Sequence, residues 1–170
     1  TVDPAAVDEL IEVIRGYNPS MVLIGGSLPP GLDYHAIDRI AAAGSWATSV
    51  DVGGEILAQL EAKYALCKPN RVELAAATGG MVDTLEDWIG AADHLGEGGC
   101  ERVVTSLGSE GALVVSEGSC RHAAALDVDI ADTVGAGDAM LSGFLLELSH
   151  GNDARASLRR GIAVAARIVS

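Results

Sequence analysis

The 170-residue chain has only three cysteines, Cys67, Cys100 and Cys120, with no Cys-x-x-Cys pair and no His–Cys cluster. An odd count without such spacing argues against a disulfide framework and a structural zinc site, so buried, reduced thiols in a cytoplasmic protein are expected. Lysine is scarce: Lys63 and Lys68 are the only two, and 11 basic residues face 24 acidic ones for a formal net charge of −13. A surface of that sign repels nucleic acid and anionic lipid, which excludes both as expected partners. No long hydrophobic run occurs. The longest apolar stretch, around Ala139 to Leu146, is too short to span a bilayer, and no secretory leader is visible. A Gly-x-x-x-x-Gly-Lys-[Ser/Thr] loop is missing, as are the protein-kinase signatures and a Gly-x-Ser-x-Gly elbow. His35, His94, His122 and His150 are scattered without metal-ligand spacing and read as surface or structural residues.

What the chain does have is 49% apolar residues and 21 glycines, enough for one domain with a sizeable core. Helices are expected over Pro4–Arg15 (Asp3 as N-cap, Pro4 at the first helical position), Tyr34–Ala43, Glu55–Ala62, Asn70 to about Ala77, Leu85–His94, Ala136–Ser149 and Ala154–Val169. Thr84-Leu85-Glu86-Asp87 matches a capping box. Strands are expected at Met21–Ile24, Trp46–Val52, Ala65–Cys67, Arg102–Ser106 and Gly111–Ser116, with Val128–Ile130 as an apparent sixth. Met21-Val22-Leu23-Ile24 is fully apolar, as a central parallel strand would be. Alternation of strand and helix with short connections predicts a three-layer α/β/α sandwich on a mainly parallel sheet. Four glycine- or proline-rich loops, Gly25–Gly31, Lys68–Glu73, Ser106–Gly111 and Asp132–Asp138, each follow an expected strand. They would share the C-terminal rim of the sheet, where such folds bind ligands.

Asp132-Thr133-Val134-Gly135-Ala136-Gly137-Asp138 opens the most apolar helix. Its glycines permit a tight turn into a helix start, whose unpaired N–H groups and positive dipole end attract an anion. Asp138 adds a carboxylate beside that pocket, the layout that phosphoryl transfer to a hydroxyl requires. The same heptad alone also fits a plain tight loop with an acid favoured by the dipole. Asn70 and Glu73 lie three apart at a helix start, placed either to hold Mg²⁺ against phosphates or to form a capping box, and one arrangement can serve both. Lys68 is within reach of the same phosphates as a point charge. Ser106-Leu107-Gly108-Ser109-Glu110-Gly111 offers amides and hydroxyls to a nucleotide, or makes a simple turn. Gly26-Ser27-Leu28-Pro29-Pro30-Gly31 presents Ser27 from a rigid loop.

Together and in this order, the four loops resemble the PfkB (ribokinase-like) carbohydrate kinases. The match is closest to the phosphofructokinase and tagatose-6-phosphate kinase branch. The resemblance implies ATP-dependent phosphorylation of a phosphosugar hydroxyl, with fructose 1-phosphate going to fructose 1,6-bisphosphate. Alternatives are tagatose 6-phosphate, fructose 6-phosphate or another sugar, or a truncated, non-catalytic nucleotide-binding fragment. It implies Asp138 as the base and Gly135, Ala136 and Gly137 as the anion hole. Asn70 and Glu73 would organise Mg²⁺, directly or through water, with Lys68 on the phosphates. Ser106, Gly108, Gly111 and Thr133 would line the ATP site, Ser27 and Asp138 would meet the phosphosugar, and Asp132 would help hold a monovalent cation such as K⁺. A cytoplasmic protein that forms a homodimer at full length is implied as well. Two departures stand out. Gly25 replaces a serine common in the branch, and the chain is short for the family. It reads as residues 1–170 of a C-terminal, nucleotide-side portion, an incomplete ribokinase-like fold without the N-terminal sugar-gripping residues or the β lid.

Overall fold

The computed structural model describes residues 2–3, 5–80 and 82–170. The chain runs α1 (Ala6–Tyr17), β1 (Met21–Gly25), α2 (Tyr34–Ala42), β2 (Ala47–Asp51), α3 (Gly54–Leu57), β3 (Leu66–Cys67) and α4 (Arg71–Thr78). It continues through α5 (Leu85–Glu97), β4 (Arg102–Ser106), β5 (Ala112–Ser116), β6 (Ser119–Ala123), α6 (Ala136–Ser149) and α7 (Ala154–Val169). Pro4, expected to open α1, lies outside the described residues. Asp3 is not the N-cap: α1 starts at Ala6 with Ala5 as its N-cap and no side-chain cap, and the Asp3 Oδ1 accepts the Ala5 N–H at 2.9 Å just ahead of the helix.

The six strands form one sheet in chain order. β1 to β4 are parallel, and β5 and β6 fold back antiparallel beyond β4. α1 to α5 cover one face. Val50, Cys67, Leu74, Trp88, Val103, Leu107 and Leu113 pack there into the main core, and Val7, Ile11, Ala36 and Ile40 fill the layer against β1. α6 and α7 cover the opposite face over the middle of the sheet, burying Leu66, Val104, Val114, Leu141, Phe144 and Leu158. A fully buried Leu or Phe contributes about 1.5–3 kcal/mol, so this second cluster anchors the start of α6 firmly to the sheet. Among the described residues no helix is long and apolar enough to cross a membrane.

Several expectations need correction. Among the described residues β1 stands at the edge of the sheet, paired with β2, and its Leu23 is 48% exposed. α3 stops at Leu57 instead of running to Ala62, because the Glu61 and Ala62 amides donate to the Asp38 carboxylate at 3.0–3.2 Å and leave the helical ladder. Strand β6, Ser-Cys-Arg-His-Ala, was not expected, since an exposed edge strand needs no apolar pattern. No strand precedes Asp132: residues 124–135 run irregularly, tied to α7 by the Ala131 N–H donating to the Val169 carbonyl at 2.7 Å. Nor are all three thiols reduced. Cys67 and Cys100 form a disulfide across 6.1 Å between Cα atoms, leaving Cys120 free. The parallel pairing of β3 with the approach to β4 brings them together, through Tyr64 and Glu101 backbone hydrogen bonds that no sequence spacing reveals.

The Asp38 carboxylate also accepts the buried Tyr64 hydroxyl. Burial first, and then that acceptor with its charge, holds the Tyr64 phenol far above its ordinary value of 10.0. The neutral phenol is favoured in the folded state. This stabilisation is therefore complete below pH 10 and declines as pH rises and the unfolded chain ionises. Between pH 9 and 11 the urea midpoint of Tyr64→Phe should fall less than that of the parent protein; equal declines would contradict the assignment.

Candidate active site

Gly25, Asp51, Lys68 and Ser106 end or directly follow β1, β2, β3 and β4, so the parallel strands deliver them to one rim. α6 starts at the same rim. Its N-cap, Gly135, has φ +78° and ψ −1°, a left-handed conformation that costs any residue with a Cβ about 1–2 kcal/mol. No side chain caps the helix. The Val134 N–H donates to Asp132 Oδ1 at 3.0 Å and the Ala136 N–H to the Thr133 carbonyl at 3.2 Å. Among the described residues, the amides of Gly135, Gly137 and Asp138 have no acceptor. Three free N–H groups at the positive end of a fourteen-residue helix are suited to an anion. Of the residues expected in the hole, Ala136 has its N–H turned to Thr133, while the amide of Asp138, which sequence reasoning treated only as a carboxylate, stands free. The Asp138 side chain is exposed in the first turn of the helix.

Lys68 is buried, with 5% of its side chain exposed, and its Nζ pairs with Asp51 Oδ1 at 3.0 Å. The same Nζ lies 3.4 Å from where a Cβ on Gly137 would sit, so the ammonium is beside the free amides. Burial pushes the Asp51 carboxyl above its ordinary 3.8. Lys68 pulls it down by charge and hydrogen bond, and the charges of Glu73 and Asp138 push it up, for a net rise. Lys68, Glu73 and Asp138 thus all act on the Asp51 carboxyl. With three carboxylates against one ammonium, this corner is net negative, and a phosphate chain would enter most readily together with a cation.

Asn70 and Glu73 form a complete capping box. Asn70 Oδ1 accepts the Val72 and Glu73 N–H groups, both at 2.9 Å, and Glu73 Oε2 accepts the Asn70 N–H at 2.8 Å. Both lone pairs of the Asn70 carbonyl are engaged, so the side chain has only its NH₂ to offer a ligand. Glu73 keeps Oε1 free. Among the described residues no group of three or more His, Cys, Asp or Glu forms a metal cage.

The Lys68–Asn70 loop is laced to the next one, since the Ser106 N–H donates to the Pro69 carbonyl at 3.2 Å. Beyond it opens a cleft of about 520 Å³, lined by Ser106, Gly108, Gly111, Thr133, Ala136 and Gly137 on the polar side. Leu126, Ile130, Met140, Ile162, Ala166 and Val169 make its apolar wall. Sequence reasoning missed that wall. The available signal was the pair Leu126 and Ile130, large apolar residues in an irregular segment, now 53% and 65% exposed at the cleft. The volume and the mix of apolar walls with a few amides suit a nucleobase and ribose whose phosphates point to α6. A larger groove of about 760 Å³ lies at the opposite end of β4 and β5, but Asp93, Glu97, Glu101, Glu117 and Asp153 make it hostile to an anion.

Ser27 is exposed on the loop after β1, which the Gly26 N–H ties to the Asp51 carbonyl at 3.0 Å. Asp51 is the residue that sequence reasoning overlooked, because a single acid at a strand end carries no motif. Asp132 is exposed, with Oδ1 engaged by Val134.

A profile of the pfkB family of carbohydrate kinases matches residues 18–170. The chain belongs to this family. It is 51% identical over 165 residues to a 1-phosphofructokinase of Haloferax volcanii, covering 97% of this chain and 54% of that protein. To a 1-phosphofructokinase of Escherichia coli it is 40% identical over 154 residues, or 88% of this chain and 49% of that one. This PfkB chain therefore spans about half the length of the curated relatives it matches. Escherichia coli phosphofructokinase-2 in complex with potassium superposes with a TM-score of 0.92 at 28% identity, over 99% of this chain and 57% of that chain. A tetrameric inhibited form of the same enzyme gives 0.92 at 28% identity, over 99% and 58%. Arabidopsis thaliana ribokinase, complexed with ribose and ATP, gives 0.76 at 25% identity over 95% and 53%. The fold is ribokinase-like, seen in part.

Proposed function

We propose that the full-length protein transfers the γ-phosphoryl group of ATP to a hydroxyl of a phosphosugar, with fructose 1-phosphate as the preferred acceptor. The observation that carries this reading is the convergence of three free amides, a buried lysine ammonium and an exposed carboxylate at one helix start, on the wall of a nucleotide-sized cleft. The 1-phosphofructokinase relatives support the choice of acceptor.

In this reading Asp138 accepts the proton of the attacking hydroxyl as the new P–O bond forms and ADP departs. The amides of Gly135, Gly137 and Asp138 meet charge on the transferred group, while Ala136 shapes the turn. Lys68 faces the phosphates. Glu73 would hold the nucleotide's metal ion, Mg²⁺ by preference, directly or through water, and the Asn70 NH₂ would donate to a phosphate oxygen or to a water on that ion, whose charge would neutralise the phosphates. Ser106, Gly108, Gly111 and Thr133 line the ATP cleft, and Ser27 contacts the phosphosugar. Asp132 has one oxygen left for a monovalent cation. The potassium complex and the tetramer of the Escherichia coli enzyme support K⁺ and self-association, as a homodimer or larger, for the full-length protein. Residues 1–170 form the nucleotide-side part of one kinase domain, and a cytoplasmic location accords with ATP and phosphosugar as substrates.

A coupled ADP-release assay on the full-length protein tests the proposal. Fructose 1-phosphate should outcompete ribose and adenosine, and equal or better turnover of either rival would overturn the acceptor assignment. The 170-residue chain alone is expected to bind Mg–ATP weakly and to phosphorylate no sugar. Sugar phosphorylation by that piece would show that the sugar site also lies within it.

A further inference from the structure

Lys68 poses an electrostatic problem. Its ammonium sits at the N-terminal end of α6, where the helix dipole repels a cation. Left alone in that position, the side chain would be driven elsewhere. Two of the neighbouring acids, Glu73 and Asp138, offer attractive alternatives, and pairing with either would occupy a group that the proposed chemistry needs.

The observed partner is neither of them. Asp51 takes the ammonium at 3.0 Å, with 5% and 16% of the two side chains exposed. Both partners stand on rigid backbone. Asp51 closes β2 in register with Gly25, its carbonyl accepting the Gly26 N–H. Lys68 leaves β3 with its own N–H donating to the Val50 carbonyl at 2.9 Å. Adjacent parallel strands therefore fix the spacing of the charges, which a pair of long surface side chains cannot achieve.

We propose that Asp51 is a positioning residue for phosphoryl transfer: its carboxylate holds the Lys68 ammonium against the start of α6, away from Glu73 and Asp138. This rests on the kinase reading above. Asp51 acts through Lys68, so its effect requires that lysine. An incoming phosphate meets an ammonium already in place, and Asp138 keeps a free carboxylate.

The test is a double-mutant cycle in the full-length protein, with Asp51→Asn, Lys68→Met and the combination, reading kcat and KM for ATP, KM for the sugar and the Mg²⁺ concentration for half-activation. Asp51→Asn should lower kcat/KM for ATP by about 10- to 100-fold, as displacement of a phosphate-facing group by an ångström would. The combination should be no worse than Lys68→Met alone, and KM for the sugar should hold. If the two effects multiply, or if Asp51→Asn raises the Mg²⁺ requirement equally with and without Lys68, the carboxylate acts on its own and the proposal fails. Should Asp51→Asn not fold, Asp51→Glu enters the cycle with the same outcomes. Calorimetric ATP affinity gives a readout free of turnover: Asp51→Asn should weaken it only while Lys68 is present. A parent protein that phosphorylates no sugar refutes the kinase reading, whereas an active parent with multiplying effects refutes Asp51 alone.

Discussion

Asp138→Asn in the full-length protein is expected to lower kcat by about 10² to 10⁴, with KM for ATP and sugar changed little. The size follows from what Asp138 is free to do. Its carboxylate is exposed in the first turn of α6 and, among the described residues, has no ion pair or hydrogen-bond partner, so nothing structural depends on it. Asparagine keeps the shape and leaves the backbone N–H in the anion site, but cannot take a proton. Fold stability should therefore move by no more than about 0.5 kcal/mol, as for an ordinary surface exchange. Steady-state rates beside a thermal melt check both halves. Near-normal turnover would remove Asp138 from the role of base, and a large drop in Tm would show that it supports the fold instead.

Gly111→Ala should be the most damaging single methyl group on the nucleotide side. Gly111 has φ +92° and ψ −128°, and a Cβ there would lie 2.0 Å from the Ala123 carbonyl oxygen and 2.6 Å from the Ala125 nitrogen. Both obstacles are backbone, so relief requires β6 and the chain after it to move. Backbone strain of about 1–3 kcal/mol and overpacking of about 1–3 kcal/mol combine against a total stability of about 5–15 kcal/mol. For a protein of this size that means a Tm lower by roughly 5 to 20 °C. The displaced turn also carries Gly108 and Ser106 into the cleft, so ATP affinity should fall with it. An unchanged melt would mean that the β5–β6 hairpin yields more readily than its hydrogen bonds suggest.

Much of this architecture was legible because strong local rules agreed. The apolar spacing of α2, α6 and α7 set those helices within a residue or two, and the glycine- and proline-rich loops after β1, β3 and β4 fell on the expected rim. Asn-Arg-Val-Glu was readable as a capping box, and it is one. What escaped depends on contacts between residues distant in sequence. Nothing in Val50-Asp51 foretells that its acid meets Lys68, because the register of β2 on β3 makes that pair. The Cys67–Cys100 disulfide arises the same way, across 33 residues. β6 escaped because an edge strand with solvent on one side carries polar residues freely. The apolar run of β1 suits a strand covered on both faces, and among the described residues one of its faces has no helix over it. The cleft wall was invisible because Leu126, Ile130 and Val169 come from an irregular segment and a helix end that meet only in the folded chain.

The central claim is that phosphate is gathered by the free amides that open α6. The most direct measurement is a Mg–ATP titration of the full-length protein labelled with ¹⁵N-glycine, followed by amide chemical shifts. The account predicts the largest shifts at Gly135 and Gly137, smaller ones at Gly108 and Gly111, and none at Gly96 or Gly118 in the acidic groove at the other end of the sheet. Saturating ATP that leaves Gly135 and Gly137 unmoved, or that shifts Gly96 and Gly118 instead, would contradict it.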